Sequence, residues 1–345
     1  MLRKQPTNSR FLPKNSKIAP EMFYLSPMCN KKEPFERPNC SIRTLAQNVL
    51  IWGTAWIFFV AVFLFFAAER SYSGPLSELI IFSCKPYRYF QLYCVRPDGR
   101  DLRQIINIKR DCRDPNLCAK NNELLFSMFT QNTWNIYQTD LNGSYVKRIT
   151  STNYVDRHPV WSPDGQYIAF DTTRWGGCEL AVMKADGSGV RRLTHNALLN
   201  AFPVWSPDGR KLAFVSWKRG HGHIYVMDMQ TERISIMTKN YLTCVTPSWA
   251  PDSEHLVFLG RSYFGHFLAY MNGNQKPHEL REFTEHASYP AWSPNGQQIL
   301  FSDSGKGFSR LTLLDPQTGQ TTPLLADLPA PAYDLVWQKK TKTWQ

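Results

Sequence analysis

Residues 203–214 read Pro-Val-Trp-Ser-Pro-Asp-Gly-Arg-Lys-Leu-Ala-Phe, and the phrase recurs along the chain. Trp161-Ser162-Pro163-Asp164-Gly165 precedes it; Trp249-Ala250-Pro251-Asp252-Ser253 and Trp292-Ser293-Pro294-Asn295-Gly296 follow it. The tryptophans stand 44, 44 and 43 residues apart, and nine residues after each comes a phenylalanine, Phe170, Phe214, Phe258 or Phe301. Stepping back by 44 finds Phe126 in ELLF and Phe82 in LIIF, so six units share one frame.

Each unit reads as four strands. In the third, 159–161 is a short strand, Asp164-Gly165 supplies a tight turn because glycine accepts a positive φ, and 167–170 is the second strand. Residues 179–183 form the third strand, Asp186-Gly187 turns the chain again, and 190–193 form the fourth. Four short strands at a period of 40 to 45 residues define a β-propeller blade. A sandwich does not need near-equal spacing repeated six times. The expected fold is therefore all-β, a six-bladed β-propeller over 75–338, with the tryptophans and phenylalanines in the cores between blades.

The ends of the repeat are complementary. Phe82 has no tryptophan nine residues before it, since position 73 is Ser, and Trp337 has no phenylalanine after it. If 334–338 supplies the strand missing from the first unit, the ring closes at six blades and no sheet edge is left open. Residues 339–345 are then a tail.

Before the repeat, residues 49–68 read VLIWGTAWIFFVAVFLFFAA without a charge, long enough for a helix to cross about 30 Å of hydrocarbon. A buried core helix would carry a polar face, and a cleaved signal peptide would want a small residue where Phe66 stands. The expectation is one transmembrane helix over 48–68, in contact with the lipid bilayer. The leader 1–47 holds nine Lys and Arg against three Glu, which by the positive-inside bias keeps it in the cytoplasm and carries the propeller across. Its prolines and weak apolar periodicity read as a basic, largely disordered segment. Localisation is thus membrane, single-pass, with an extracytoplasmic propeller on the periplasmic or lumenal side.

Composition agrees with a folded chain: 345 residues, 43% hydrophobic, 14% aromatic. Half of the formal net charge of +12 sits in the leader (nine minus three), with no helix-turn-helix pattern, so nucleic acid is not an expected partner.

The phrase P-x-W-S-P-D-G-x-x-I-A-F, followed by I-Y-x-M-D as in Ile224-Tyr225-Val226-Met227-Asp228, resembles the repeat of the TolB-type propellers. That resemblance implies a six-bladed, WD40-like propeller working outside the cytoplasm, commonly as a docking surface for other envelope or membrane proteins. TolB itself carries an extra α/β domain before its propeller; here a membrane anchor and a short leader take that place.

Catalytic signatures are sparse. There is no Gly-x-Ser-x-Gly elbow, no HExxH, no paired CxxC and no DxDxDG loop. His221 and His223 flank Gly222 in what reads as a solvated loop, and no cofactor is expected. Binding is expected at one mouth of the central channel, where the residues before each strand-opening proline converge: Asp114, His158, Phe202, Thr246, Tyr289 and, from the closing strand, Asp334. Asp156, Arg157 and Asn200 lie beside them. These positions vary in chemistry while the core letters hold, which suits a protein-binding module. The alternative is a propeller enzyme of the lyase or cyclase kind, with a metal or an acid/base pair at the channel. Convergence of His158 with Asp114 and other acidic groups would favour the enzyme; a dry, uncharged mouth would favour the scaffold.

The extracytoplasmic placing exposes Cys84, Cys94, Cys112, Cys118, Cys178 and Cys244 to an oxidising compartment. Cys84 with Cys94 and Cys112 with Cys118 are candidate bridges, Cys178 and Cys244 lie in separate blades and are read as free, and sequence alone does not fix the connectivity. Cys29 and Cys40, in the leader, stay reduced.

Overall fold

Alternation along each strand feeds two cores at once. In Glu78–Cys84, Leu79 and Ile81 point into one core and Ile80 and Phe82 into another, because successive side chains leave opposite faces of the sheet. The computed structural model describes residues 78–339 apart from 197, 240, 262–265, 273–277, 284–285, 306–307 and 327. The leader and the 48–68 run lie outside the described residues, as do 340–345. Among the described residues no helix is long and apolar enough to cross a membrane.

The described strands form six antiparallel four-stranded sheets. The first strand of each blade lines a common channel: Ala332–Lys339 in blade one, then Cys112–Leu117, Asp156–Trp161, Leu199–Trp205, Thr243–Trp249 and His286–Trp292. Blade one has the strand order Ala332–Lys339, Glu78–Cys84, Gln91–Val95, Arg103–Gln104, so the C-terminal strand closes the ring. The closing strand is longer than the expected 334–338, pairing from Cys84↔Ala332 to Glu78↔Lys339.

Six cores lie between neighbouring blades. Leu125 and Ile136 of blade two meet Trp161, Ile168 and Phe170 of blade three; Ala291, Leu300 and Leu311 of blade six meet Ile80, Phe82 and Trp337 of blade one. The six repeat phenylalanines are 0% or 1% exposed, each facing the preceding blade. Burying one such side chain stabilises by about 1.5–3 kcal/mol. The repeat frame is therefore the packing frame.

The Ser-Pro-Asp-Gly turns are built alike. Ser162 Oγ donates to Asp164 at 2.5 Å, Gln166 N donates to the same carboxylate at 3.0 Å, and Gly165 sits at φ 70°. Gly209 and Gly296 repeat that backbone at 72° and 73°. An L side chain disfavours this region, which is why glycine holds three of the four turns that the phrase marks. Ser253 takes the position in blade five at φ 62°.

The expected disulfides are not formed. All six described cysteines are buried, and none is bridged to another. Cys84 lies in the core between blades six and one, whereas Cys94 lies in the core between blades one and two, on the opposite face of the same sheet. Across the strand pair Cys94 faces Ile81 and Cys84 faces Gln91. Cys112 opens an extended strand and Cys118 follows its end, which separates their Cα atoms well beyond the ~7 Å a bridge allows. Burial pushes the Cys84 thiol up to about 11 and the Cys112 and Cys244 thiols to about 12, which keeps them protonated and inert.

Candidate functional site

Every inner strand breaks its ladder at the same repeat position. The bulges fall between Arg113 and Asn116, Arg157 and Val160, Ala201 and Val204, Val245 and Ser248, and Ser288 and Ala291, with the equivalent shift in blade one opposite Ile81/Ser83. The residue at each bulge is left-handed: Asp114 at φ 55°, His158 at 47°, Phe202 at 56°, Thr246 at 51°, Tyr289 at 53° and Asp334 at 55°. None is glycine, and each such conformation costs roughly 1–2 kcal/mol. Five are followed by proline, which has no N–H to offer a ladder and is tolerated at bulges and edges. A bulge re-aims a side chain, and here six of them line one channel of about 830 Å³. Residues 156–158 belong to the inner strand, which is why it starts three residues before the expected 159.

The ring has a charged half and an uncharged half. In blade one the Asp334 carboxylate accepts from Arg113 Nε at 3.1 Å and Nη2 at 3.2 Å, from Ser83 Oγ at 2.5 Å and from Asp114 N at 3.2 Å. In blade two the Asp114 carboxylate accepts from Arg157 Nε at 3.1 Å and Nη2 at 3.0 Å. In blade three His158 Nδ1 donates to Asp171 Oδ1 at 2.7 Å, while its Nε2 stands 3.6 Å from Asp114 Oδ1. Each of these three inner strands thus sends an acid or imidazole to a partner carried by a neighbouring strand or blade. The two guanidiniums also lie on aromatic faces, Arg113 at 4.6 Å from the Phe90 centroid and Arg157 at 4.5 Å from that of Trp134.

These groups are nearly dry. Arg113, Asp114, Arg157 and His158 are 5%, 6%, 4% and 7% exposed. Burial alone would raise the Asp114 carboxyl, but Arg157, His158 and Arg113 outweigh it and hold it well below the usual carboxylate range. Burial likewise opposes the charge on Arg113, and the Asp334 carboxylate reverses that and keeps it protonated.

The other half offers rings and a hydroxyl. Phe202 lies 3.9 Å from the His158 ring centroid and 5.9 Å from Trp217. Thr246 Oγ1 donates to Val245 O at 2.8 Å. Tyr289 OH accepts from Arg113 Nη2 at 3.4 Å, and its ring meets Tyr333 edge-on at 5.7 Å. Burial first, then Asp334, pushes the Tyr289 hydroxyl up, so it stays neutral.

The structure therefore brings Asp114, His158, Phe202, Thr246, Tyr289 and Asp334 together, with Arg157 paired behind them. Asp156 and Asn200 do not line the channel. Asp156 accepts from Thr172 Oγ1 at 2.6 Å and Arg174 Nη2 at 2.8 Å, and Asn200 Nδ2 donates to Glu179 Oε2 at 3.0 Å, bracing loops. Two members were missed in the sequence. Arg113 stands 44 residues before Arg157 in the same repeat position, and Asp171 is a charge directly after the fully buried Phe170 of a core strand.

His221 and His223 each turn Nδ1 to a backbone carbonyl, of Leu242 at 2.9 Å and Thr238 at 2.7 Å. Among the described residues no three His, Cys, Asp or Glu side chains converge as a metal site.

With ring and channel described, comparison places the chain in a family. The chain belongs to the family of the TolB beta propeller domain, whose model matches residues 79–338. TolB from Acinetobacter baumannii superposes with a TM-score of 0.68 at 19% identity, over 76% of this chain and 67% of that one. A chain of a nidogen/laminin complex gives 0.63 at 12% identity, over 75% and 98%. An oligogalacturonate lyase in complex with manganese gives 0.51 at 16% identity, over 68% and 69%. At these identities the likeness is one of fold alone. Comparison with curated proteins finds no match.

Proposed function

We propose that this protein is a membrane-anchored, extracytoplasmic propeller that binds protein partners through its central channel. The observation that carries the proposal is the ring: six non-glycine residues held left-handed at six bulges, all on one channel. Local strain repeated at every blade is retained where the aim of the side chains matters. The charged half is satisfied internally, which leaves Phe202, Thr246 and Tyr289 with the channel tryptophans and prolines to meet a partner's extended segment. That lining suits a chain with apolar side chains. Envelope or membrane proteins are the proposed partners, because the uncharged 48–68 run and the basic leader support anchoring with the propeller outside. An anchor also raises the propeller's effective concentration for neighbours in the same membrane.

Proximity labelling from the propeller tests the channel. Phe202→Ala with Thr246→Arg should lower capture of the labelled partners by about thirtyfold, the loss of one aromatic anchor, with the melting temperature little changed. Capture equal to wild type would refute channel binding. Anchoring is tested separately: the full chain should stay with membranes after alkaline extraction, with its propeller cleaved only by protease added outside the cytoplasm. Release by alkali, or cleavage from the cytoplasmic side, would refute it.

One observation favours the enzyme alternative, the His158 imidazole between the Asp171 and Asp114 carboxylates. Against it, Asp114 is already bound by two nitrogens of Arg157 and the imidazole is covered by Phe202. Protein binding therefore ranks first.

A further inference from the structure

At the ring end of the channel, the propeller presents a face made of the turns between second and third strands and the links from blade to blade. Two of these segments meet in blade one. Residues 85–90, Lys-Pro-Tyr-Arg-Tyr-Phe, turn from Glu78–Cys84 into Gln91–Val95, and residues 105–111 lead into blade two. Lys85, Arg88, Lys109 and Arg110 are all exposed there. Among the described residues no ion pair uses any of the four. The one carboxylate within these two segments, Asp111, is half-buried and accepts from Phe90 N at 2.8 Å.

The patch is held in shape from beneath. Gln91, 6% exposed, donates through Nε2 to the carbonyls of Phe90, Ile108 and Arg110 at 2.7, 2.8 and 2.9 Å, and its Oε1 accepts from Ile108 N at 3.0 Å. One buried amide thus ties both segments together. The Phe90 ring lies between Lys85 Nζ at 5.3 Å and the Arg113 guanidinium at 4.6 Å, which seats the loop on the ring network. In the same segment Tyr87 stands 77% exposed, the highest exposure among the described large hydrophobic side chains. With Phe90, Ile108 and Arg110 already held by Gln91, the backbone beside these cations loses little entropy on docking.

We infer that this patch is a second docking surface, separate from the channel, for an acidic segment of a partner protein. Four cations facing one engaged carboxylate select an anionic partner by charge complementarity. Tyr and Arg are the side chains that anchor protein interfaces. The basic charge is also bounded: the neighbouring turn 130–133 and link 150–155 carry no charge at all. A nucleic-acid strand wants a continuous basic track, and a flat anionic bilayer wants cations across the whole face; four cations on two joined segments with an exposed tyrosine fit a short acidic peptide.

The test uses the full chain in mild detergent and a fluorescent peptide of glutamates and aspartates around a single tryptophan. Wild type should bind it at low ionic strength and lose it at about 1 M salt, where screening acts within ~3 Å. Lys109→Glu with Arg110→Glu should weaken binding by at least about tenfold, and Tyr87→Ala by several-fold, with unchanged melting temperatures. The channel variant Thr246→Arg should bind the peptide as wild type does, which separates this surface from the channel. Equal binding by the charge-reversed protein overturns the inference. So does tighter binding of single-stranded DNA or of phosphatidylserine vesicles than of the peptide.

Discussion

Deleting residues 332–345 should leave a chain with no cooperative thermal transition, one that scatters light within minutes of dilution from denaturant. The segment supplies the inner strand of blade one, paired along its length with Glu78–Cys84. It also supplies Ala332, Leu335 and Trp337 to the core between blades six and one, and Trp337 Nε1 donates to Glu78 Oε2 at 3.0 Å. Losing Leu335 and Trp337 alone removes about 3–6 kcal/mol of burial, a large share of the ~5–15 kcal/mol by which domains are stable. The exposed remainder is worse than neutral. Glu78–Cys84 reads Glu-Leu-Ile-Ile-Phe-Ser-Cys, and stripped of its partner it becomes a flat apolar edge that templates other chains. Circular dichroism and light scattering measure both effects, and a synthetic peptide of residues 332–345 should restore the transition in part. A truncated chain that melts within a few degrees of wild type would show that blade one closes without its C-terminal strand.

The fold was legible because the signals that wrote it are local and repeated. Glycines at positive φ mark the turns, alternation marks the strands, and the absence of a tryptophan before Phe82 together with the further tryptophan at Trp337 shows where the ring joins. The ring residues were legible for the same reason, since each precedes a fixed point of the repeat. What they do there was not legible. Arg113 and Asp334 are 221 residues apart and meet only where the ring closes, so their pairing has no signature within one unit; Asp171 lies 13 residues after His158 in the same blade, but the bulge at His158 decides that the imidazole turns to it. The cysteines failed in the opposite way. Cys84 and Cys94 are near neighbours in the chain, but they sit on opposite faces of one sheet and in different cores. Sequence proximity outweighed strand parity, and parity decides which core a side chain enters.

Asp114→Ala should destabilise the protein by about 3–5 kcal/mol, because it leaves the Arg157 guanidinium buried at 4% exposure without its carboxylate. The same substitution made together with Arg157→Leu should recover most of that loss, since removing both charges also removes their desolvation cost. A loss in the double variant as large as in the single one would mean the pair acts through something other than charge. The pH dependence separates the cases further. Asp114 in the folded protein titrates below its unfolded value of about 3.9, so its ionised form contributes stability above that value. That contribution declines as pH falls through the interval between the two values, where the unfolded chain takes up a proton more readily than the folded one. The gap in melting temperature between wild type and the double variant should therefore shift against wild type below about pH 4. Asp114 pairs across the boundary between blades two and three with Arg157, so acid should loosen that junction before the uncharged side of the ring. Hydrogen exchange at low pH would locate that order, with Cys112–Leu117 and Asp156–Trp161 exchanging ahead of Thr243–Trp249.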